Sequence, residues 1–270
     1  MGRLATALQD LRALDTLAAR ETPLSRRDPR AKLLVTLLFV ITLMSFDRYR
    51  VAALLPLALF PVVLAAQGAV PARTIAHLLM LAAPFALLVG LANPWIDSAP
   101  QLLLAGIELS GGWVSFVSIL LRVTLSVSAT VLMLGCTGMP ALCAALARLR
   151  VPQVLCTQLL LLYRYLFVLG DEAQRLTTAY RLRAGRRPRL PLQHFAALGG
   201  QLLLRAHERA TRLHQAMLAR GFTGQLPLAR PLQWQQGDTL FVGLWSSWFL
   251  LARGIDLPQA LGRLATGAGP

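Results

Sequence analysis

Charged side chains are scarce in this sequence. They make up only 14% of its 270 residues, whereas hydrophobic residues make up 56%. An ordinary soluble domain carries about a quarter charged residues, so this composition argues against one. The chain is also too short for several domains. Burial of most of the chain in a membrane is the simplest explanation.

Cysteine and the usual catalytic motifs are also scarce. The three cysteines, Cys136, Cys143 and Cys156, show no CxxC spacing, so the sequence predicts neither a disulfide framework nor a zinc site. No GxxxxGK[ST] phosphate-binding loop is present, so the sequence does not predict nucleotide chemistry in this chain. We therefore expect no enzymatic activity and no cofactor.

The histidines do not predict a metal site. His207 and His214 are seven residues apart, which separates them by about 10.5 Å along a helix, too far for joint binding of one ion. His77 and His194 have no cysteine, histidine or carboxylate clustered nearby in the sequence. We assign none of the four to metal binding or catalysis.

Residues 1–30 predict a cytosolic amphipathic segment. A secretory signal is not recognisable there, because arginines and acidic residues are mixed with short apolar stretches. Leucines recur at the spacing of an amphipathic helix, at Leu4, Leu8, Leu11, Leu14 and Leu17. Pro23 and Pro29 then interrupt this pattern.

Four apolar runs within residues 31–137 and a fifth within 237–253 predict five transmembrane helices. They are Ala31–Phe46, Val51–Ala66, Ile75–Asn93, Trp113–Thr137 and Thr239–Ala252. The first two are shorter than the roughly 20 residues that normally cross a bilayer. Residues 94–111 contain acids but no Lys or Arg and are predicted to lie outside. The N-terminus is then cytosolic, and the C-terminal tail, residues 254–270, is external.

One arginine lies within a predicted span. Arg122 falls in the fourth apolar run, and insertion of an arginine near the bilayer centre costs roughly 2.5–3.5 kcal/mol. We expect its side chain to face other helices or a wet cavity. A structural role and a functional role are equally compatible with this position.

Residues 138–231 predict three cytosolic or interfacial helices. Within them, residues 148–230 hold fourteen arginines against three carboxylates. The helices are expected over Met139–Arg150, from Val154 past Leu169, and from Pro191 to Arg220. The run Val154–Leu169 favours a helix along the membrane surface, because Arg164 interrupts it and charged residues follow without a break. A further membrane span is the alternative, because the run is otherwise nearly all apolar.

Two patterns within these helices predict side-chain contacts. The third helix carries an apolar stripe formed by Leu202, Ala206, Ala210, Leu213 and Met217. The adjacent acids Asp171 and Glu172 are expected to pair with Arg175 or Arg181 on their own helix.

Two of these helices end with an arginine close to a glycine. The sequences are Leu182-Arg183-Ala184-Gly185-Arg186 and Leu218-Ala219-Arg220-Gly221-Phe222. Glycine accepts the left-handed conformation that ends a helix, and arginine complements the negative end of the helix dipole. Arginine also binds carboxylates or carbonyl oxygens in a bidentate way. Two similar ends predict two similar partners. The alternative is two ordinary helix stops whose arginines attract anionic lipid.

Three segments together resemble one family. They are Ser25-Arg26-Arg27-Asp28-Pro29-Arg30-Ala31-Lys32-Leu33, Asn93-Pro94-Trp95-Ile96-Asp97 and Ala216-Met217-Leu218-Ala219-Arg220-Gly221-Phe222. Over nearly its whole length the chain resembles the transmembrane T component of energy-coupling factor (ECF) transporters, most closely the cobalt/nickel-type CbiQ branch. This resemblance implies an all-α protein of the bacterial cytoplasmic membrane.

The resemblance also implies partners and docking residues. In that family the T component joins two cytosolic ABC-type ATPases to a small membrane subunit that captures a vitamin or metal ion. Nucleic acid is not an expected partner. Two Ala-Arg-Gly-like motifs contact the ATPases. Ala219-Arg220-Gly221 matches one motif. Arg183-Ala184-Gly185 departs from the other by one residue, which makes Arg183 the expected equivalent and Arg181 and Arg186 its rivals.

Two other functions remain open at this point. A conventional ABC permease subunit would enclose the substrate path itself, but it predicts a short coupling loop in place of about eighty residues. A basic membrane-surface anchor would use its arginines for anionic lipid or nucleic acid without any ATPase.

Overall fold

A computed structural model of the chain describes residues 12, 15–18, 20, 22–47, 49, 51–68, 70–93, 100–104, 107–184, 191–224 and 233–254. Its α-helices are α1 (Pro29–Ser45), α2 (Leu59–Gly68), α3 (Ala72–Leu91), α4 (Gly111–Thr137), α5 (Met139–Arg148), α6 (Gln153–Ala184), α7 (Leu192–Ala219) and α8 (Gln236–Gly254). A 3₁₀ helix covers Ala52–Ala58, and strands β1 (Pro100–Leu104) and β2 (Ile107–Ser110) pair in an antiparallel hairpin. The predicted all-α architecture is confirmed, with this hairpin as the one β element in the described ranges.

The contacts divide the chain into two compact units. Met1–Ala13 and Met139–Pro231 form the arginine-rich unit, and Leu14–Gly138 and Leu232–Pro270 form the hydrophobic unit. Most of the predicted N-terminal leucine stripe lies outside the described residues, as do residues 94–99 and 255–270. Leu17, the last leucine of that stripe, is buried in the core of the hydrophobic unit.

The first helix of the hydrophobic unit begins at a strong start signal. Asp28 is its N-cap, and the Asp28 carboxylate accepts a 2.8 Å hydrogen bond from the Arg30 backbone N–H. Pro29 follows at the first helical position, where its missing N–H costs nothing. The predicted span Ala31–Phe46 is therefore helical, and it ends one residue earlier, at Ser45.

The second predicted span is helical but not a single α-helix. Its first part, Ala52–Ala58, is a 3₁₀ helix containing Pro56, and α2 follows directly. Because proline lacks an N–H and its ring crowds the preceding turn, an uninterrupted α-helix is disfavoured here. The apolar pattern Val51–Ala66 predicted a membrane span here but not the change of helix type within it.

Helices α3 and α4 correspond to the third and fourth predicted spans. They pack against each other, and a Cβ at Gly90 would lie 2.7 Å from the Phe116 ring. Glycine therefore permits a close approach of the two helices at this level. Pro84 lies inside α3 without ending it, and the β-hairpin connects α3 to α4.

Aromatic side chains fill the centre of the hydrophobic unit. The rings of Phe39 and Phe60 have centroids 4.7 Å apart, and Phe60 meets Trp245 edge-on at 4.8 Å. Phe249 packs against Phe39 and Phe60 at 5.6 and 5.4 Å. Aromatic pairs in these tilted and edge-on arrangements add to the free energy gained from burial alone. This core joins α1, α2 and α8.

Large apolar side chains also cover the outside of the hydrophobic unit. Leu37 and Ile41 on α1 are 56% and 58% exposed, and Leu81, Phe85 and Leu88 on α3 are each 75% exposed. A water-soluble protein rarely exposes so continuous an apolar surface. Contact with lipid hydrocarbon accounts for it.

Three described helices are long and apolar enough to cross a membrane by length and composition. They are Ala72–Leu91, Gly111–Thr137 and Gln153–Arg183. The first two were predicted as spans. The third contains Val154–Leu169, for which we expected a surface position. Most charged residues of this helix follow Gly170, so its first half is long and apolar enough to cross a membrane. The other three predicted spans lie in helices that this criterion does not select.

Candidate docking ends of the arginine-rich unit

The arginine-rich unit contains the three predicted helices, as α5, α6 and α7. Helices α6 and α7 run antiparallel. Near one end the rings of Tyr180 and His194 lie 5.2 Å apart, and near the other the Thr157 hydroxyl donates a 3.1 Å hydrogen bond to the Gly224 carbonyl. The C-terminus of α7 therefore lies beside the start of α6.

The apolar stripe of α7 is the half-buried side of that helix. Leu202, Ala206, Leu213 and Met217 are all partly buried, as the spacing predicted, whereas Ala210 is exposed. Helix α7 packs against α6. The remaining faces of α7 are open and carry its arginines, including Arg209 and Arg212.

The end of α7 is a complete Schellman motif. Gly221 has a φ of +78°, in the left-handed region. The Phe222 N–H donates to the Met217 carbonyl and the Gly221 N–H to the Leu218 carbonyl, both at 3.0 Å. Arg220 is the C-cap residue, and it is exposed. The backbone of this end is thus fixed by two hydrogen bonds, and the arginine side chain takes no part in them.

The end of α6 carries Arg181 and Arg183 in its last turn. Both arginines are exposed, and Ala184 is the last residue of the helix. Gly185 and Arg186 lie outside the described residues. The helix therefore ends where the sequence predicted, and Arg183 stands one residue before the helix terminus.

The two arginine-bearing ends are far apart. Thr157 and Ala184 are 27 residues apart on α6, which corresponds to about 40 Å of helix. Arg183 lies at one end of that length, and Arg220 lies at the other, beside the start of α6. The pair of helices can therefore contact two separate partners at once.

Acidic side chains of this unit pair across helices. Both Asp171 carboxylate oxygens accept hydrogen bonds from Arg12 at 2.9 Å, and Glu172 is bound by Arg205 of α7. The expected pairing with Arg175 or Arg181 is wrong. Residues on other segments reach these carboxylates, and the Glu172–Arg205 contact ties the middle of α6 to α7. These two carboxylates thus bind arginines other than Arg183 and Arg220 at the helix ends.

Arg122 caps the C-terminal end of α1 in the hydrophobic unit. Its guanidinium donates to the carbonyls of Phe46 and Asp47, at 2.9 and 2.8 Å, and to the Ser118 hydroxyl at 3.3 Å. The last carbonyls of a helix have no partner within the helix, so a cation from a neighbouring helix satisfies them. Arg122 faces another helix, as expected, and the contacts give it a capping role.

A buried polar cluster joins three helix ends at the other side of the hydrophobic unit. The Asp28 N–H donates to the Asp238 carboxylate at 3.1 Å, and Asp238 also accepts from the Gln235 N–H at 3.0 Å, which caps α8. The Lys32 ammonium donates to the Cys136 carbonyl at the end of α4, at 3.0 Å.

Sequence patterns alone did not reveal these structural roles. Asp28 and Lys32 stood out only as part of a family-like segment, and Asp238 did not stand out at all. The sequence features that could have indicated these roles are the Asp28-Pro29 helix start and Lys32, the only lysine in the sequence.

The ionised form of Asp28 is favoured in the folded protein. Burial opposes its ionisation, but hydrogen bonds from the Arg30 side chain and backbone outweigh this and lower the pKa of Asp28 below its ordinary value of 3.8. The two Arg30–Asp28 side-chain hydrogen bonds measure 2.9 and 3.1 Å. Arg30 also stacks over the Trp234 ring at 5.4 Å.

Comparisons with known proteins agree with this architecture. A family model described as "Cobalt transport protein" (CbiQ) matches residues 20–229. A cobalt transport protein CbiQ of Rhodobacter capsulatus is 40% identical over 98 residues, which is 34% of this chain and 40% of that protein. One of Salmonella typhimurium is 34% identical over 98 residues, or 33% of this chain and 44% of that protein. The chain thus matches less than half of the length of these relatives. By the extent of the family match and its apolar helices, the chain is a multi-pass membrane protein belonging to the CbiQ cobalt transport protein family.

Proposed function

We propose that this chain is the energy-coupling transmembrane scaffold of an ECF-type importer. It joins two cytosolic ABC-type ATPases to a small membrane subunit that captures the substrate, and it hydrolyses no nucleotide itself. One observation carries the proposal: two exposed arginine-bearing helix ends lie about 40 Å apart on an antiparallel helix pair. One ATPase docks at each end.

Each docking end offers the same chemistry. Arg220 at the end of α7 binds carboxylates or carbonyl oxygens in a groove of one ATPase, and Arg183 at the end of α6 does so in the other. Ala219 and Gly221 flank Arg220, and Ala184 and Gly185 follow Arg183, so neither arginine has a bulky neighbour on that side to hinder close approach. Arg181 and Arg186 are the rival residues at the first end.

The helix pair is suited to transmit movement between the ATPases and the membrane. The Glu172–Arg205 ion pair and the Thr157–Gly224 hydrogen bond tie α6 to α7 without using the side chain of Arg183 or Arg220. When ATP binding and hydrolysis change the separation of the ATPases, the two ends shift. The membrane helices then reorient the capture subunit.

The proposed cargo is cobalt, with nickel or a vitamin as the alternatives. The two relatives described above are named cobalt transport proteins. In an importer of this kind the capture subunit selects the cargo. The cargo therefore binds outside this chain.

The experiment that tests the proposal is purification of the tagged full chain from its native membranes in mild detergent. Mass spectrometry should identify two ATPase copies and one small membrane protein per chain. Two other functions predict different results. A conventional permease subunit would yield ATPases without a capture subunit. A basic surface anchor would yield lipid or nucleic acid, with no ATPase even when nucleotide is added.

A further inference from the structure

Two adjacent glycines lie in the interior of α7. Gly199 and Gly200, here called the glycine pair, are exposed and fall within the continuous helix Leu192–Ala219. After proline, glycine is the weakest helix former, because it loses the most backbone freedom when a helix forms. The glycine pair therefore weakens α7 at this point.

Neither packing nor backbone conformation requires glycine at these two positions. A Cβ at either one would meet no atom of the described residues within 4 Å, and neither glycine has a left-handed φ. Gly90 and Gly221 differ, because Gly90 lies against the Phe116 ring and Gly221 takes the left-handed conformation. Gly243 of α8 is as open as the glycine pair, but it stands alone. The static fold thus gives no reason for two glycines here.

Contacts with α6 hold α7 on both sides of the glycine pair. Five residues before the pair, the His194 ring lies 5.2 Å from the Tyr180 ring, near the Arg183 end of α6. Five residues after the pair, Arg205 binds Glu172. The glycine pair thus separates the part of α7 beside the Arg183 end from the part that is tied to the middle of α6.

We propose that the glycine pair is a hinge at which the two packed helices bend. Long helices curve gently along their length, whereas sharp bends occur at sites such as pairs of small residues. Because α7 resists bending least at the glycine pair, residues 192–198 move there together with the last turns of α6. The Arg183 end then moves relative to the Arg220 end. The role of this hinge rests on the proposed function, in which the two ends shift as the ATPases change their separation.

Backbone hydrogen exchange of the purified full chain in detergent tests the hinge without any partner. In the wild-type chain, residues 199–204 should be less protected than residues 207–217 of the same helix. The double variant Gly199→Ala with Gly200→Ala should slow exchange in residues 199–204 roughly tenfold, because alanine is the best helix former.

Cobalt uptake by cells tests whether transport uses the bend. The double alanine variant should lower uptake about fivefold or more, as expected of a hinge substitution far from any bound cargo. It should still retain both ATPases, because Arg183 and Arg220 are unchanged. Gly243→Ala fills an equally open helical position on α8 and should leave uptake within about twofold of the wild type.

Moving the hinge separates bending from contact with a partner. Addition of Ala196→Gly and Ala197→Gly to the double alanine variant restores a glycine pair three residues earlier, still between His194 and Arg205. Both alanines are exposed in the same helix, so composition and surroundings are matched. This quadruple variant should recover about half of the lost uptake or more.

Three results would overturn the proposal. Equal protection along the whole of α7 in the wild-type chain would reject the hinge. Full uptake by the double alanine variant would show that transport does not use the bend. Uptake that stayed low in the quadruple variant would assign the glycine pair to close contact with a partner. Failure of the proposed function gives a different result, because the wild-type chain would then retain no ATPase whatever its hydrogen exchange showed.

Discussion

Arg220 and Arg150 both stand at helix ends, but their backbones differ. Arg150 follows α5 and itself has a φ of +68°, a left-handed conformation that costs a non-glycine residue about 1 kcal/mol or more. At the end of α7 the adjacent Gly221 takes that conformation, so Arg220 is free of it. Gly221 thus ends the helix by taking the left-handed conformation, and the Arg220 side chain stays available for a partner.

Replacing Arg220 with lysine tests whether this side chain docks specifically. Lysine keeps the charge but loses the planar group of donors, so we expect ATPase binding to fall about tenfold or more, with a matching loss of uptake. Arg209→Lys makes the same change on the exposed part of α7 and should have little effect. Affinity of the purified chain for the ATPases and cobalt uptake by cells would measure this. Full uptake with Arg220→Lys would favour a surface that recognises charge alone.

Asp28 gives stability that depends on pH. Because its pKa is lowered on folding, its contribution is fully present above the ordinary value of 3.8 and is lost as the pH falls through the lower folded-state value. Asp28→Asn retains a good N-cap but loses the ion pair with Arg30, so we expect a loss of about 1–3 kcal/mol at neutral pH.

Thermal unfolding of both proteins in detergent, from pH 7 down to pH 3, would measure the difference between them. The gap should narrow once the pH falls below the ordinary value of 3.8, because the unfolded wild-type chain then binds a proton at Asp28 that the folded protein does not bind until the pH is lower still. A gap that stays constant over this range would assign the loss to packing and not to charge.

At the level of elements, Arg122 connects α4 to the end of α1. Arg122→Leu would leave the carbonyls of Phe46 and Asp47 without this donor, at a cost of about 1–3 kcal/mol. We expect a lower unfolding temperature but unchanged uptake per folded copy. Arg122→Lys should recover part of the stability, because an ammonium group can still donate to a carbonyl.

The measurement separates the two roles that the sequence allowed. Uptake per folded copy is obtained by dividing transport by the amount of folded protein in the membrane. If Arg122→Leu abolished uptake per copy while the unfolding temperature stayed unchanged, a functional role in the membrane would replace the capping role.

Periodicity predicted the elements better than it predicted their contacts. The run Trp113–Thr137 and the stripe from Leu202 to Met217 predicted α4 and the half-buried face of α7, because burial of apolar residues follows directly from spacing. The pairing of Asp171 was predicted wrongly, since its partner Arg12 is 159 residues away and no local rule identifies it. The buried Asp28–Asp238 contact was missed for the same reason, with 210 residues between its members.

At the scale of the whole molecule, the separation of the docking ends has a consequence for assembly. If each end binds one ATPase, each end can be disabled independently. Docking at two sites on one scaffold raises the effective concentration of the second ATPase, so loss of one end should weaken the assembly without abolishing the other contact.

Arg183→Glu and Arg220→Glu, alone and combined, test this arrangement. Each single variant should retain one ATPase copy, and the double variant should retain none, because a glutamate at the docking position repels the carboxylates that bind arginine. Native mass spectrometry of the purified complexes counts the copies directly. Arg209→Glu reverses the same charge in the middle of α7 and should retain both copies. If instead Arg183→Glu retained two copies while Arg181→Glu retained one, the first docking residue would be Arg181. If neither change removed a copy, α6 would not be a docking helix.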